Sequence, residues 1–260
     1  MIVIHFLQKI SKYIMKRIIT SVLLCLLFWT VNAQTDKIQS YCTCDTVSII
    51  KDTSDFSLVI YRPVCASLAL VAHRPDSTDK RIVLSVPSAF TAKNYTDVVG
   101  KFVAQDTVIN NPTEQETGYC VITEDKMLIK PLEDSSEYYS EYAVDNKGNY
   151  FQQMLLLYHG NKTACTVFGK QKPTFRRALC LKDGLPCVAE SLNRMNIDDF
   201  TDVLAETGFT DAIYLDMGTW SEGFYKDIKA NNMIIGKLRQ NTSSQTNWLI
   251  FLGSADGDKF

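Results

Sequence analysis

The stretch TDAIYLDMGTWSEG, residues 210–223, places a short run of strand-forming residues directly before two acids, a glycine and a tryptophan. Residues 212–215 have the length and composition of a buried β-strand. A buried strand leaves the next side chain little positional freedom, and Gly218 permits a tight turn just beyond it. The stretch therefore predicts that Asp216 emerges at a sheet edge and points into whatever cleft lies there.

Two interpretations of Asp216 and its neighbours remain open from the sequence. Rigid placement suits a catalytic carboxylate, while the same spacing is typical of an aspartate that caps the turn or the segment beginning at Thr219. Trp220 is placed either to stack on a sugar ring or to pack into the core. Glu222 is either a second acid of the site or a solvated loop residue.

The residues before this strand predict a helix that packs against it. Asn196 can cap the helix, Asp198 and Asp199 complement its positive N-terminal end, and Gly208 can stop it. Apolar residues fall on one face of the segment: Ile197, Phe200, Val203 and Leu204.

Most of the remaining chain predicts strands. Apolar or alternating runs bounded by turn residues occupy residues 46–50, 56–61, 68–72 and 81–86. Hairpin patterns follow at 119–130, 151–168 and 178–188, and closing strands at 233–238 and 248–252. The predicted class is α+β, with strand-dominated mixed sheets and a few packed helices in a single domain.

A second candidate feature is PTFRRALCLKDG, residues 173–184. Asp183 and Gly184 predict a tight turn between two short strands, and Arg176 and Arg177 lead into the first of them. Neighbouring residues of a strand point to opposite faces, so only one of the two arginines can face a given cleft. A guanidinium there would either bind a phosphate through two parallel hydrogen bonds or form an ordinary surface ion pair.

The bulk composition excludes some classes of partner. With 27 basic and 29 acidic residues among 260, the formal charge is -2, which gives no electrostatic basis for binding nucleic acid or an anionic membrane surface. The hydrophobic content of 46% and the charged content of 22% are ordinary for a globular domain with a substantial core. Any charge that is important for function must therefore be local.

The N-terminal residues 1–33 predict a secretory signal peptide. Lys16 and Arg17, an apolar run over residues 18–31 and a small-residue cleavage site ending at Ala33 follow the order of such a signal. The alternative is a membrane anchor, which is disfavoured because the run is shorter than the ~20 apolar residues that span a bilayer.

Met15 is a better start for this signal than Met1, so we interpret residues 1–14 as an overlong start. Cleavage after Ala33 would leave residues 34–260 as one domain. We expect this domain to be secreted or periplasmic and to contain no integral membrane span.

Eight cysteines are present, and Cys25 would leave with the signal peptide, so seven remain and at least one lacks an intrachain partner. Export permits disulfides. We expect Cys180 to pair with Cys187, because the two face each other across the predicted turn. Cys42 and Cys44 are spaced too tightly for a relaxed disulfide or a zinc knuckle, so no metal site is predicted.

The sequence contains no phosphate loop, dinucleotide fingerprint, Ser-His-Asp order or metal-binding histidine motif. We therefore expect no cofactor. His73 and His159 fall in predicted turns and are interpreted as solvated loop residues.

The order of these features resembles the C-terminal half of the phosphodiester glycosidase family, of the uncovering-enzyme type. The family's Arg-Thr-Ala run before a hairpin corresponds to Arg176-Arg177-Ala178, and its Leu-Asp-Gly-Gly-Gly-Ser turn corresponds to residues 215–221. The resemblance is best over residues 175–225 and weaker over residues 81–100.

The chain departs from the family pattern at two places. The family's Asn-Gly-Gly-Phe turn would fall at residues 87–90, which are Pro-Ser-Ala-Phe here. Two of the three glycines after Asp216 are replaced by Met217 and Thr219. Glycines there would let backbone amides approach a ligand closely, and side chains would crowd that approach.

The resemblance implies a hydrolase that cleaves the bond between a sugar and a phosphate. In this scheme Arg176 binds the phosphate, Asp216 acts as nucleophile, base or stabiliser of the oxocarbenium ion, and Glu222 is the partner carboxylate. The residues expected to bind the substrate are Arg177, Gly218, Trp220 and Ser221. The alternative is a secreted protein that binds glycans or sugar phosphates on the same scaffold without catalysis.

Overall fold

The computed structural model describes residues 43–50, 57–64, 66–111, 116–124, 126–163, 173–218, 221–237, 239–240 and 242–253. The predicted signal peptide, Cys42 and Trp220 lie outside these residues. No helix within the described ranges is long and apolar enough to cross a membrane.

The described residues form seventeen strands and two α-helices. The strands are β1 (Cys44–Ile50), β2 (Ser57–Pro63), β3 (Ala66–Val71), β4 (Ile82–Pro87), β5 (Phe102–Ala104), β6 (Thr107–Asn110), β7 (Gly118–Ile122), β8 (Met127–Pro131), β9 (Asn149–Gln153), β10 (Leu155–Tyr158), β11 (Asn161–Lys162), β12 (Arg177–Lys182), β13 (Leu185–Ser191), β14 (Asp211–Tyr214), β15 (Gly223–Lys226), β16 (Asn232–Ile235) and β17 (Trp248–Gly253). The helices are α1 (Ser136–Asp145) and α2 (Ile197–Glu206), and a short 3-10 helix spans Thr242–Ser244.

The strands form three sheets. The seven-stranded sheet has the order β1-β2-β13-β12-β14-β10-β11. The two five-stranded sheets have the orders β16-β15-β4-β17-β3 and β6-β5-β9-β7-β8. The fold is therefore strand-dominated α+β, as the sequence predicts.

The sheets are antiparallel, and the prediction of mixed sheets was wrong. Helix α2 connects β13 to β14, and both of these strands run antiparallel to β12, which lies between them. The helix therefore joins two strands of the same direction without making them neighbours. Parallel pairing does not arise because the β12–β13 hairpin has already placed β12 in that position.

The seven-stranded sheet is covered on both faces. One face carries Leu179, Val188 and Ile213, which belong to an apolar cluster that also contains Leu84 of β4 and Phe151 of β9. The other face packs against helix α2 in a second cluster. The sheet that carries both candidate features of the sequence is thus buried on each side.

Local sequence patterns account for helix α2 and the β12–β13 hairpin. The Asn196 Oδ1 atom accepts the Asp199 backbone N–H at 2.8 Å, which confirms the predicted cap. Gly208 adopts a left-handed conformation with φ of 84° just after the helix. Asp183 and Gly184 have φ of 53° and 76°, as a tight hairpin turn requires.

The other predicted hairpins and strands have different outcomes. The hairpin at 119–130 is confirmed as β7–β8, and the closing strands are confirmed as β16 and β17. The hairpin at 151–168 is confined to β10–β11, because residue 151 belongs to β9, which pairs with β5 and β7. Residues 164–168 lie outside the described ranges.

Cys180 and Cys187 are register partners across β12 and β13, but the predicted disulfide is absent and both are free thiols. Each thiol points to a backbone carbonyl: Cys187 Sγ lies 3.8 Å from the Cys180 oxygen, and Cys180 Sγ lies 3.8 Å from the Ala178 oxygen. Burial raises the pKa of the Cys187 thiol to about 12 and that of Cys180 well above its ordinary value. Oxidation proceeds through the thiolate, which this environment disfavours.

Candidate functional site

Strands β12 and β14 bring Arg176 and Asp216 to the same end of the sheet. The two strands are antiparallel neighbours, and the ladder continues beyond β14, since the Leu215 N–H donates to the Arg177 carbonyl oxygen at 2.9 Å. The next residue of each chain segment is Arg176 on one side and Asp216 on the other. In this register their side chains leave the sheet on the same face as that of Tyr214.

Arg176 is a buried cation without a carboxylate partner among the described residues. Its side chain is 2% exposed, and its Nε donates to the Met195 carbonyl oxygen at 3.2 Å. Its Nη1 donates to the Tyr214 hydroxyl oxygen at 3.3 Å, and the guanidinium lies over the Tyr214 ring at 5.8 Å. The Nη2 atom is buried, and no described residue accepts a hydrogen bond from it. A buried guanidinium with an unused donor is costly unless an anion joins it.

Tyr214 adds a second donor beside Arg176. Burial raises the pKa of its phenol above the ordinary value, and the Arg176 charge offsets this only in part. The hydroxyl is therefore protonated at neutral pH. Within the described residues the hydroxyl accepts a hydrogen bond from Arg176, and no group accepts its own proton. Arg176 Nη2 and the Tyr214 hydroxyl together offer two unused donors.

Asp216 is 4% exposed and is held by backbone N–H groups. Its Oδ1 accepts the Gly218 N–H at 3.1 Å, and its Oδ2 accepts the Thr91 N–H at 3.3 Å. Its own N–H donates to the Ser88 carbonyl oxygen at 2.8 Å. The carboxylate therefore caps its turn, as one of the two interpretations of the sequence predicted, and it also contacts the segment after β4.

The segment after β4, residues 88–91, overlaps residues 87–90, where the family's Asn-Gly-Gly-Phe turn would fall. The structure brings it against Asp216 and fixes it from the other side through Asn247, which is fully buried. The Asn247 Oδ1 atom accepts the Ala89 N–H at 2.7 Å, and its Nδ2 donates to the Ala89 carbonyl oxygen at 3.0 Å. The Ser88 hydroxyl also contacts Asn247 Oδ1. The Asn247 side-chain amide thus forms with Ala89 the two hydrogen bonds that a neighbouring strand would otherwise form.

Replacement of Asn247 by alanine is expected to lower the free energy of unfolding by about 2–3 kcal/mol, because the Ala89 N–H and carbonyl would be buried without partners. Urea unfolding followed by circular dichroism measures the change. Asn231, whose side chain bonds Asp227 at the surface, provides a control in Asn231→Ala, which should cost much less. Equal losses for the two variants would contradict the structural role of Asn247.

Arg177 lies on the opposite face of β12 from Arg176 and is fully buried. Its Nη2 donates to Glu190 Oε2 at 2.6 Å and to the Ser221 carbonyl oxygen at 3.0 Å, and its Nε donates to the same Glu190 oxygen at 3.1 Å. Ser221 is also fully buried. The structure therefore places Arg177 and Ser221 together in an interior ion-pair network, away from the face that carries Arg176.

The remaining predicted site residues lie at the surface or outside the residues that the structure describes. Glu222 forms an ion pair with Arg74, and their side chains are 25% and 56% exposed. Gly218 is exposed and donates its N–H to Asp216. Trp220, the predicted sugar-stacking residue, lies outside the described residues. The structure thus brings together Arg176 and Asp216, and it gives Glu222 a different partner.

The sequence interpretation missed Tyr214, Thr91 and Asn247. Tyr214 lies two positions before Asp216, and the alternation of a strand places both side chains on one face, so this residue could have been found. Thr91 and Asn247 are far away along the chain and lack a local pattern. Within the described ranges, no group of three or more His, Cys, Asp and Glu residues could hold a metal ion.

Comparison with known proteins gives a relationship at the level of fold. Neither a protein-family model nor a curated protein matches the sequence. Among solved structures, the chain is similar to the catalytic domain of zebrafish N-acetylglucosamine-1-phosphodiester alpha-N-acetylglucosaminidase, auto-inhibited by its pro-peptide, with a TM-score of 0.59 and 13% identity over 84% of this chain and 86% of that chain. It is also similar to a hypothetical protein from Synechocystis, with a TM-score of 0.56 and 10% identity over 81% of this chain and 62% of that chain. The chain is thus a distant structural relative of a glycosidase catalytic domain.

Proposed function

We propose that the protein is a hydrolase that cleaves a sugar-phosphodiester linkage, with Arg176 at the phosphate and Asp216 at the sugar. The observation that carries this proposal is the buried Arg176 guanidinium, which lies in register with Asp216 and whose Nη2 finds no acceptor among the described residues. A phosphate oxygen is the acceptor that a guanidinium binds most specifically. The distant relationship to a glycosidase catalytic domain supports the sugar half of the proposal.

The proposed reaction breaks the bond between the anomeric carbon and the bridging oxygen. The phosphate leaves with the bonding electron pair, and water supplies hydroxide to the sugar and a proton to the phosphate. Phosphate is a weak base and needs little help from a general acid, so stabilisation of its growing charge by Arg176 is the larger contribution. Asp216 would stabilise the oxocarbenium ion or act as nucleophile or base.

Substrate access requires a rearrangement at this site. Arg176 and Asp216 are 2% and 4% exposed, so a bound sugar phosphate would have to displace some of the side chains that now cover them. Phe90 packs on Tyr214 with ring centroids 5.7 Å apart and is only partly buried, which makes it one side chain that could move.

A binding protein without catalysis is the second candidate function. Met217 replaces a family glycine and is 3% exposed within the apolar cluster under helix α2. Both oxygens of Asp216 accept backbone N–H groups, which is also the arrangement of a purely structural aspartate. A sugar-phosphate ligand would still satisfy the donors of Arg176 and Tyr214. For either function, we propose that the protein acts after export, in the periplasm or outside the cell.

Asp216→Asn tests the enzymatic proposal. Asparagine retains an oxygen that can accept the Gly218 N–H but removes the charge, so kcat/KM for release of sugar from a chromogenic sugar 1-phosphodiester is expected to fall by about a hundredfold or more. Circular dichroism and thermal unfolding should remain close to wild type. Asp202→Asn, at the exposed Lys162–Asp202 ion pair, is the control and should retain activity.

The outcomes separate the two candidate functions. Sugar release by the wild type that survives in Asp216→Asn would remove Asp216 from the mechanism. Binding of a sugar 1-phosphate by the wild type without any release would favour the binding protein. If the wild type neither releases sugar from the phosphodiester nor binds a sugar 1-phosphate, both proposals are overturned.

A further inference from the structure

A separate cleft lies at the start of helix α1, on the sheet β6-β5-β9-β7-β8. Its volume is about 540 Å³, which is within the range of small-molecule sites. Its walls come from the turn before α1, the first turns of that helix, strand β9 and the segments that flank β5 and β6. None of its lining residues belongs to the Arg176 and Asp216 site.

The lining of the cleft is polar and combines donors with acceptors. Lys101 supplies an ammonium group, Asn111 supplies an amide, and Glu133 and Glu137 supply carboxylates. Within the described residues, none of the three charged side chains forms an ion pair. Gln152 lies at the base, 4% exposed, with its Oε1 accepting the Lys101 N–H at 3.0 Å. Gln152 is therefore held in one orientation.

An aromatic side chain stands at this cleft. Tyr138 lines it and is 60% exposed. Its neighbours Tyr139 and Tyr142 carry cations over their rings, with Lys126 Nζ 4.4 Å from the Tyr142 centroid and Lys130 Nζ 5.1 Å from that of Tyr139. Tyr138 contacts both of these rings, with its centroid 5.1 Å from that of Tyr139 in an edge arrangement and 6.1 Å from that of Tyr142, and the rest of its side chain is exposed to a ligand.

This chemistry selects a neutral, hydroxyl-rich ligand. Two carboxylates against one ammonium group disfavour an anion. Hydroxyl groups, unlike a cation, can use the Lys101 donor as well as the two carboxylate acceptors. The polar lining excludes a mainly apolar molecule. Hydroxyl groups both donate and accept, which matches a wall of mixed groups. An apolar face of a pyranose ring can pack on the exposed part of the Tyr138 ring.

We propose that this cleft is a second site, which binds a neutral oligosaccharide with Tyr138 as the stacking residue and Glu137 as a hydroxyl acceptor. It is independent of the hydrolysis proposed above, since it uses different residues on a different sheet. It would hold a glycan on the protein whether or not the Arg176 site is catalytic.

Titration of the purified chain with cellotriose, maltotriose and triacetylchitotriose, followed by saturation-transfer NMR, tests this site. At least one trisaccharide is expected to bind, and Tyr138→Ala is expected to weaken that binding about tenfold, whereas Tyr138→Phe should remain within about threefold of wild type. Glu137→Gln should also weaken binding. Leu185→Ala, which truncates a side chain that is 70% exposed and outside the cleft, is the matched surface control.

Three results would overturn the proposal. The first is that none of the three trisaccharides binds at about 10 mM. The second is binding that persists unchanged in both Tyr138→Ala and Glu137→Gln. The third is binding that is lost in Asp216→Asn, which would assign the sugar to the other site. Self-association that depends on Tyr138 without sugar binding would identify the surface as a protein interface instead. Failure of phosphodiester hydrolysis has no bearing on any of these results.

Discussion

Replacement of Glu190 by glutamine is expected to lower the free energy of unfolding by about 3–5 kcal/mol. The Glu190 and Arg177 side chains are 3% and 0% exposed, and their closest N–O distance is 2.6 Å. The neutral amide would leave the Arg177 charge inside the core, where no other carboxylate of the described residues pairs with it. Urea unfolding, monitored by circular dichroism and fluorescence, measures the loss.

The matched control for this variant is Glu222→Gln. It breaks the Arg74–Glu222 pair, whose side chains are 56% and 25% exposed, and should change the free energy of unfolding by less than about 1 kcal/mol. The double variant Arg177→Met with Glu190→Leu removes both buried charges and should recover much of the loss. A Glu190→Gln variant as stable as Glu222→Gln would show that the interior pair contributes no more to stability than the surface pair.

The sequence predicts those parts of the fold that depend on neighbouring residues. Helix α2 follows from its cap and apolar stripe, and the β12–β13 turn follows from Asp183-Gly184, because both patterns act within a few residues. Helix α1 was missed, since SEYYSEYAVD lacks an apolar stripe and contributes mainly Ser140 and Ala143 to the interior. The antiparallel sheets depend on which strand lies between β13 and β14, and no local pattern encodes this.

The same distinction applies to the candidate site. The convergence of Arg176 and Asp216 could be anticipated, because each stands at the end of a strand in a recognisable segment. The contacts of Asn247 with Ala89 join residues 158 positions apart, so only the fold reveals them. The free state of Cys180 and Cys187 shows a further limit: cross-strand register alone does not determine whether two thiols are oxidised.

Arg176→Met and Arg177→Met are expected to have opposite consequences, although the residues are adjacent. Arg177→Met leaves Glu190 buried without its partner and should cost about 3–5 kcal/mol of stability. Arg176→Met removes a buried charge that has no carboxylate partner, so stability should change by less than about 1.5 kcal/mol. The Met195 carbonyl would still accept the Thr174 N–H at 3.2 Å.

Ligand binding provides the second half of this comparison. If Arg176 binds the phosphate, Arg176→Met should weaken binding of a sugar 1-phosphate by about 2–5 kcal/mol, which is roughly thirtyfold to several-thousandfold. Tyr214→Phe removes the neighbouring donor and should weaken binding less, because a neutral hydrogen bond contributes about 1 kcal/mol. Calorimetric titration measures both affinities, with urea unfolding on the same samples. If Arg176→Met unfolds as readily as Arg177→Met and binds the sugar 1-phosphate like wild type, Arg176 is a structural residue. The reason is that loss of a buried guanidinium that serves a ligand must change the affinity for that ligand more than it changes the stability of the fold.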